Sequence, residues 1–132
     1  MPEAGKVVLD TSVVVAVLRR VPGLMDRMRG AEELLVPLVV LGELEYGANL
    51  AAQQERQREA VRAFMEGATL LLPTARTAAE YGRVKAALKA AGMPIPENDI
   101  WIAAVALEHG LPLATRDAHF ASVPGLSVQD WS

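Results

Sequence analysis

The chain has 132 residues, no cysteine and a formal net charge of -3 at pH 7. That length suits one domain, 1–132, with core enough to fold without a disulfide or structural metal. The lack of cysteine excludes a disulfide scaffold, a thiolate zinc site and a cysteine nucleophile, and the acidic balance excludes a polycation that coats nucleic acid. Apolar residues make up 52% of the chain, slightly above the usual share of about 45 to 50%, which points to an apolar surface shared with a partner. The opening MPEAGKVVLD lacks the charged start, apolar stretch and cleavage site of a signal peptide. No apolar run approaches the roughly 18 residues needed to span a bilayer, so a cytoplasmic protein is expected.

In chain order, KVVLD (6–10) is a β-branched run that predicts a buried strand, with Thr11 or Ser12 capping a helix through SVVVAVLRR. LLV (34–36) predicts a second strand, stopped by Pro37, which suits the first turn of a helix through VVLGELEYGANL. QQERQREAVRAFMEG carries Val61, Phe64 and Met65 on one face and charge elsewhere, the pattern of a surface helix ending at Gly67. TLLL (69–72) is a third strand; TARTAAEYGRVKAALKAAG is a helix stopped by Gly92; MPIP is a loop. PENDIWIAAVALEHG is a further helix stopped by Gly110, PLAT (112–115) a fourth strand, and LSVQDW a fifth near the end. Strands alternating with helices imply a three-layer α/β/α domain around a mainly parallel sheet. In such sheets ligands bind beyond the carboxyl ends of the strands. Asp10 ends the first strand and Asp117 follows the fourth by two residues, so both are expected on that edge.

Asp10, Glu43, Asp99 and Asp117 all stand beside apolar sequence. Asp10 has an ordinary use as a helix cap, Asp99 as a complement to a helix N-terminus, and Asp117 in an Asx-turn. Glu43 is harder to assign to such a role. Its helical neighbours Val39, Tyr46 and Gly47 give it a largely apolar face, and PLVVLGELEYGANLAA contains no Lys, Arg or His. Four acids without matched bases repel one another and resist ionisation; a divalent cation removes that problem. Hard oxygen ligands without cysteine argue for Mg²⁺ or Mn²⁺. With only two histidines zinc is not expected, and His109, at a helix end, and His119, beside Asp117, are left out of the ligand set. An ion held by acids at a sheet edge lowers the pKa of a bound water and sets it in line with a phosphodiester, the chemistry of a nuclease. Thr11, Ser12, Asn98 and Thr115 neighbour the acids and serve equally well to hold carboxylates and water or to cap and turn.

Taken together, VVLDTSVVVAVL, LGELEYGA, NDIWIAAVALEHGLPLATRD and the tail HFASVPGLSVQDW resemble, in order and spacing, the PIN-domain ribonucleases that are the toxins of VapBC-type toxin-antitoxin pairs. The resemblance covers nearly the whole chain. It implies a PIN fold and an endoribonuclease that depends on Mg²⁺ or Mn²⁺, with Asp10, Glu43, Asp99 and Asp117 as catalytic metal ligands. It also implies products with a 5′ phosphate and a 3′ hydroxyl, a VapB-type antitoxin whose C-terminal segment covers the acids, and a homodimer. Two departures are local: Gly42 stands where a hydroxyl residue is frequent, and His119 where many relatives carry an acid.

Arg19, Arg20, Arg27, Arg29 and Arg116 are candidates for phosphate contacts, Arg116 foremost because it adjoins Asp117. Trp101 is expected to pack in a core or dimer contact in preference to stacking on a base. An aspartyl-phosphate enzyme acting through Asp10 is disfavoured. The only lysines are Lys6, Lys85 and Lys89, none after a late strand, and Ser12 stands where a second Asp is needed. The remaining alternative is a catalytically inactive PIN domain that binds RNA or protein.

Overall fold

The computed structural model describes residues 5–132, so the reading of the MPEA start lies outside the described residues. Lys6–Leu9 forms β1, Glu33–Pro37 β2, Thr69–Leu71 β3, Leu113–Thr115 β4 and Val128–Asp130 β5. These five pair in the order β3-β2-β1-β4-β5, and every neighbouring pair is parallel. In the central strands consecutive residues are all buried: Val7, Val8 and Leu9, then Leu113, Ala114 and Thr115. Side chains alternate between the faces of a strand, so burial of every residue means that both faces of the sheet are covered. The expected three-layer α/β arrangement is thus present, with a sheet that is parallel throughout.

The order carries a functional consequence. From β1 the chain builds outward through β2 and β3, then returns to the other side of β1 for β4 and β5. The reversal lies between β1 and β4, where connections leave in opposite directions and open a crevice at the carboxyl edge. Asp10 directly follows β1, and β4 ends at Thr115, two residues before Asp117. Both therefore stand at that carboxyl edge.

The helices are α1 (Thr11–Leu18), α2 (Leu24–Gly30), α3 (Leu38–Leu50), α4 (Gln54–Glu66), α5 (Ala75–Ala91) and α6 (Glu97–His109). Helix α2 was not expected from the sequence; its two buried residues, Leu24 and Met28, lie one turn apart and are its whole apolar face. Thr11 and Ser12 do not cap α1. They are its first two residues, Asp10 holds the cap position, and no side chain caps this end. Helix α1 closes at Leu18, before Arg20 with a left-handed φ of 59°. Gly92 and Gly110 end α5 and α6 at φ 67° and 63°, where a side chain would be strained.

Helix α6 is fixed along its length against α5. Near its start, Glu97 accepts from Lys85 at 2.9 Å and from the Tyr81 hydroxyl. Near its end, Glu108 accepts from the Thr74 hydroxyl at 2.6 Å and from the Thr77 hydroxyl. Between them Trp101 stacks on Tyr81 with centroids 3.8 Å apart, so this aromatic packs helix on helix, as expected. Ile102, Ala103, Ala104 and Ala106 are buried on α6, and the three alanines allow its axis close to its neighbours. No helix among the described residues is long and apolar enough to cross a membrane.

Candidate active site

Asp10 is buried at the carboxyl end of β1, 3% exposed. A carboxylate so placed needs donors. Its Oδ2 accepts from the Ser12 hydroxyl at 2.6 Å and from the Thr115 hydroxyl at 2.8 Å. Both hydroxyls also accept from the backbone that follows β4: Ser12 from the N–H of Arg116 at 3.0 Å, Thr115 from the N–H of Asp117 at 2.9 Å. The first turn of α1 and the exit of β4 are thereby sewn to one carboxylate.

Glu43 comes from α3. Its helix buries Val40, Leu44 and Ala48, whereas Tyr46 and Gly47 are exposed. Glu43 therefore sits on the flank of the packed face, not on an apolar face as the helical pattern suggested. Its partner is the Thr11 hydroxyl, which donates to Oε1 at 2.5 Å. The hydroxyls of Thr11, Ser12 and Thr115 hold acids in place; Asn98, the fourth residue singled out, lies exposed at the surface.

Asp99 stands in the first turn of α6 with its side chain 15% exposed. Burial raises its pKa to about 6, and the charges of Asp10, Asp117 and Glu43 add to the rise. The other three acids thus all bear on Asp99, while His119 acts the opposite way. Asp117 follows β4 and caps the short 3-10 turn Ala118–Ser122, its Oδ1 accepting from the N–H of His119 at 3.0 Å. The Asx-type use anticipated for it is therefore real, and it coexists with a place in the cluster. His119 itself was left aside in the sequence. Its Nδ1 lies 3.0 Å from Asp117 Oδ1 and 3.5 Å from Asp99 Oδ2. The signal was present in Asp117-Ala118-His119, two ligand types flanking one residue beside a strand end.

The donor set suits a hard divalent cation. One ligand atom each from Asp99, Asp117 and His119 lies within 4.8 Å of the others; Asp10 and Glu43 stand outside that group, each held by hydroxyls, and reach Asp99 through their charge. Excess negative charge, oxygen donors and a rigid frame are what such an ion requires.

The arginines named as candidates for phosphate contact have these surroundings in the fold. Arg116 donates to the Trp131 carbonyl at 2.8 Å, Arg27 lies 5.6 Å from the ring of that buried tryptophan, and Arg29 pairs with Asp26 at 3.0 Å. Arg19 lines a groove together with Glu43, Leu50 and Gln57.

The fold is a parallel α/β domain with acidic side chains gathered at its switch point. Residues 7–126 match the family model of the PIN domain. The chain is 34% identical to Ribonuclease VapC2 of Haemophilus influenzae over 96% of its own length and 98% of that protein's. It is 28% identical to the tRNA(fMet)-specific endonuclease VapC of Shigella flexneri over 96% and 98% of the two chains. Its fold is similar to that in DNA-bound VapBC from Salmonella typhimurium, with a TM-score of 0.91, 27% identity, and 96% and 98% of the two chains covered. The chain belongs to the PIN-domain family, among the VapC-type ribonucleases.

Proposed function

We propose that this chain, as a single PIN domain, is a cytoplasmic endoribonuclease dependent on Mg²⁺ or Mn²⁺, the toxin of a type II toxin-antitoxin pair. The observation that supports the reading is Asp99, pushed up to about 6 by its own burial and by the charges of Asp10, Asp117 and Glu43. Those four side chains would hold the ion. When bound, it supplies Lewis-acid polarisation of the scissile phosphodiester and a nucleophile at neutral pH.

The work of the protein's own groups is positioning. Ser12 and Thr115 fix one oxygen of Asp10, and Thr11 fixes one of Glu43, so little reorganisation remains when substrate arrives. Arg19, in the groove that Glu43 also lines, is set to pair with a phosphate on the RNA strand beside the acids. Products carry a 5′ phosphate and a 3′ hydroxyl.

The partners are RNA, a VapB-type antitoxin whose tail covers the acids, and a second copy of the chain. The VapBC complex from S. typhimurium, whose fold this chain resembles, supports the antitoxin. An apolar cavity of about 280 Å³ lined by Leu38, Pro73 and Trp101, with Leu72 61% exposed in the segment between β3 and α5, supports the homodimer.

The test is incubation of the purified chain with structured and single-stranded RNA in Mg²⁺, Mn²⁺ or EDTA, with the fragment ends mapped. Cleavage in either metal, its loss in EDTA and 5′-phosphate ends are expected. Cleavage that survives EDTA, or folded protein that cuts no RNA in either metal, contradicts the reading.

A further inference from the structure

We propose that His119 is a nitrogen ligand of the divalent ion, binding through Nδ1 beside Asp99 and Asp117 and biasing the site toward Mn²⁺ over Mg²⁺. The inference rests on the nuclease reading above and adds to its four oxygen ligands a donor of different chemistry. Asp10 and Glu43 already have hydroxyl partners in Thr11, Ser12 and Thr115. The other half of the cluster has none of these: among the described residues, His119 is the one basic side chain within 4 Å of Asp99. Its ring nitrogen is held on the acids by a short rigid turn. The His119 N–H bonds Asp117 Oδ1, and the next residue, Phe120, is fully buried and anchors the turn in the core.

The spacing fits an ion. Mg²⁺-sized cations bind at about 2.1 Å, so ligand atoms on opposite sides lie about 4.2 Å apart. The donor atoms of Asp99, Asp117 and His119 are all within 4.8 Å of one another, and the His119 side chain, 51% exposed, has room for the small closing movement. An imidazole lone pair favours a transition ion over Mg²⁺, which prefers oxygen. A protonated His119 serving only as a counter-cation makes the opposite forecast, because its removal would leave the acids freer to take a metal.

The experiment uses the metal-free protein at pH 7.5, titrated calorimetrically with Mn²⁺ and with Mg²⁺, and pulsed electron paramagnetic resonance of the Mn²⁺ form. In the native protein, directly coordinated nitrogen is expected. The alternative imidazole, His109, lies at the far end of α6, about 15 Å along its axis from Asp99. His119→Asn is expected to abolish the nitrogen coupling and weaken Mn²⁺ binding about tenfold or more, with a smaller loss for Mg²⁺. His119→Asp is expected to restore Mg²⁺ affinity without nitrogen coupling. Bound Mn²⁺ with no nitrogen coupling in the native protein, or His119→Asn binding as tightly as native, overturns this inference and leaves the nuclease reading standing. No uptake of Mn²⁺ by the native protein overturns both.

Discussion

The hydroxyl of Thr11 donates to Glu43 at 2.5 Å, joining the first turn of α1 to the flank of α3 across 32 residues of sequence. No cation stands beside Glu43 in its own stretch of helix, so this hydroxyl sets the direction of the carboxylate. Thr11→Val keeps the β-branched shape and removes the donor. A fall in RNA cleavage of about 10- to 100-fold is expected, with the circular dichroism spectrum unchanged. An unchanged rate would mean that Glu43 needs no such support.

Asp99 links the site to stability. It ionises at 3.8 in the unfolded chain and at about 6 in the folded one, so between those values the folded chain holds the extra proton. The contribution to stability is full below 3.8 and is lost as the pH rises through about 6. In EDTA at pH 7.5, Asp99→Asn is therefore expected to be more stable than the native chain, by about 2 kcal/mol after solvent screening. Saturating Mn²⁺ should raise the native melting temperature and leave the variant unmoved. Thermal denaturation of both proteins from pH 4 to 8, with and without Mn²⁺, reads both effects.

Glu108 offers the reverse sign. Burial favours its neutral form, but the hydrogen bonds from Thr74 and Thr77 outweigh burial and hold its pKa below 4.5. Its contribution is present above 4.5 and is lost as the pH falls through the lower folded value. Glu108→Gln is expected to cost about 2 kcal/mol at pH 7 and progressively less in acid, measured by urea denaturation. Because this bond fixes the far end of the helix that carries Asp99, Mn²⁺ affinity should fall modestly as well.

The tail forms a third tie. Trp131 is buried, its carbonyl accepts from Arg116 at 2.8 Å, and its backbone N–H donates to the Thr115 carbonyl at 2.9 Å. Trp131→Ala is expected to destabilise the fold by about 3 to 5 kcal/mol. Arg116→Ala, with the tryptophan in place, should increase the mobility of the tail without abolishing cleavage, as read by tryptophan fluorescence anisotropy and RNA cleavage. Loss of cleavage in the folded Arg116→Ala protein would return this arginine to the substrate.

Short apolar runs between helices announced all five strands, and five of the six helices carry enough residues to show their period or their stop signals; β3, β4 and β5, three residues each, were legible only by their apolar residues and their place between helices and turns. Helix α2 escaped because seven residues after Pro22-Gly23, four of them polar or glycine, show only Leu24 and Met28 as a repeat. The four acids stood out in the sequence because each stands beside apolar residues and three follow or precede a predicted element boundary, and the structure shows three of them acting on the fourth, Asp99. What sequence did not reveal was how they are held. A threonine and a serine after a strand-ending aspartate look like caps, and only the fold brings Thr115 and Glu43 to them. His119 was similarly obscured: its partner Asp99 lies 20 residues away, and a lone histidine beside an aspartate has no local period.

The acids are proposed to act as one unit on a divalent ion, and Asp99 is where their charges meet. The decisive measurement is single-turnover RNA cleavage in Mn²⁺ by native protein and by Asp99→Asn, each shown to be folded. A fall of about a thousandfold or more is expected, because several kcal/mol of transition-state stabilisation depend on the bound ion. Cleavage by Asp99→Asn at the native rate would contradict a metal-dependent nuclease built on these four carboxylates.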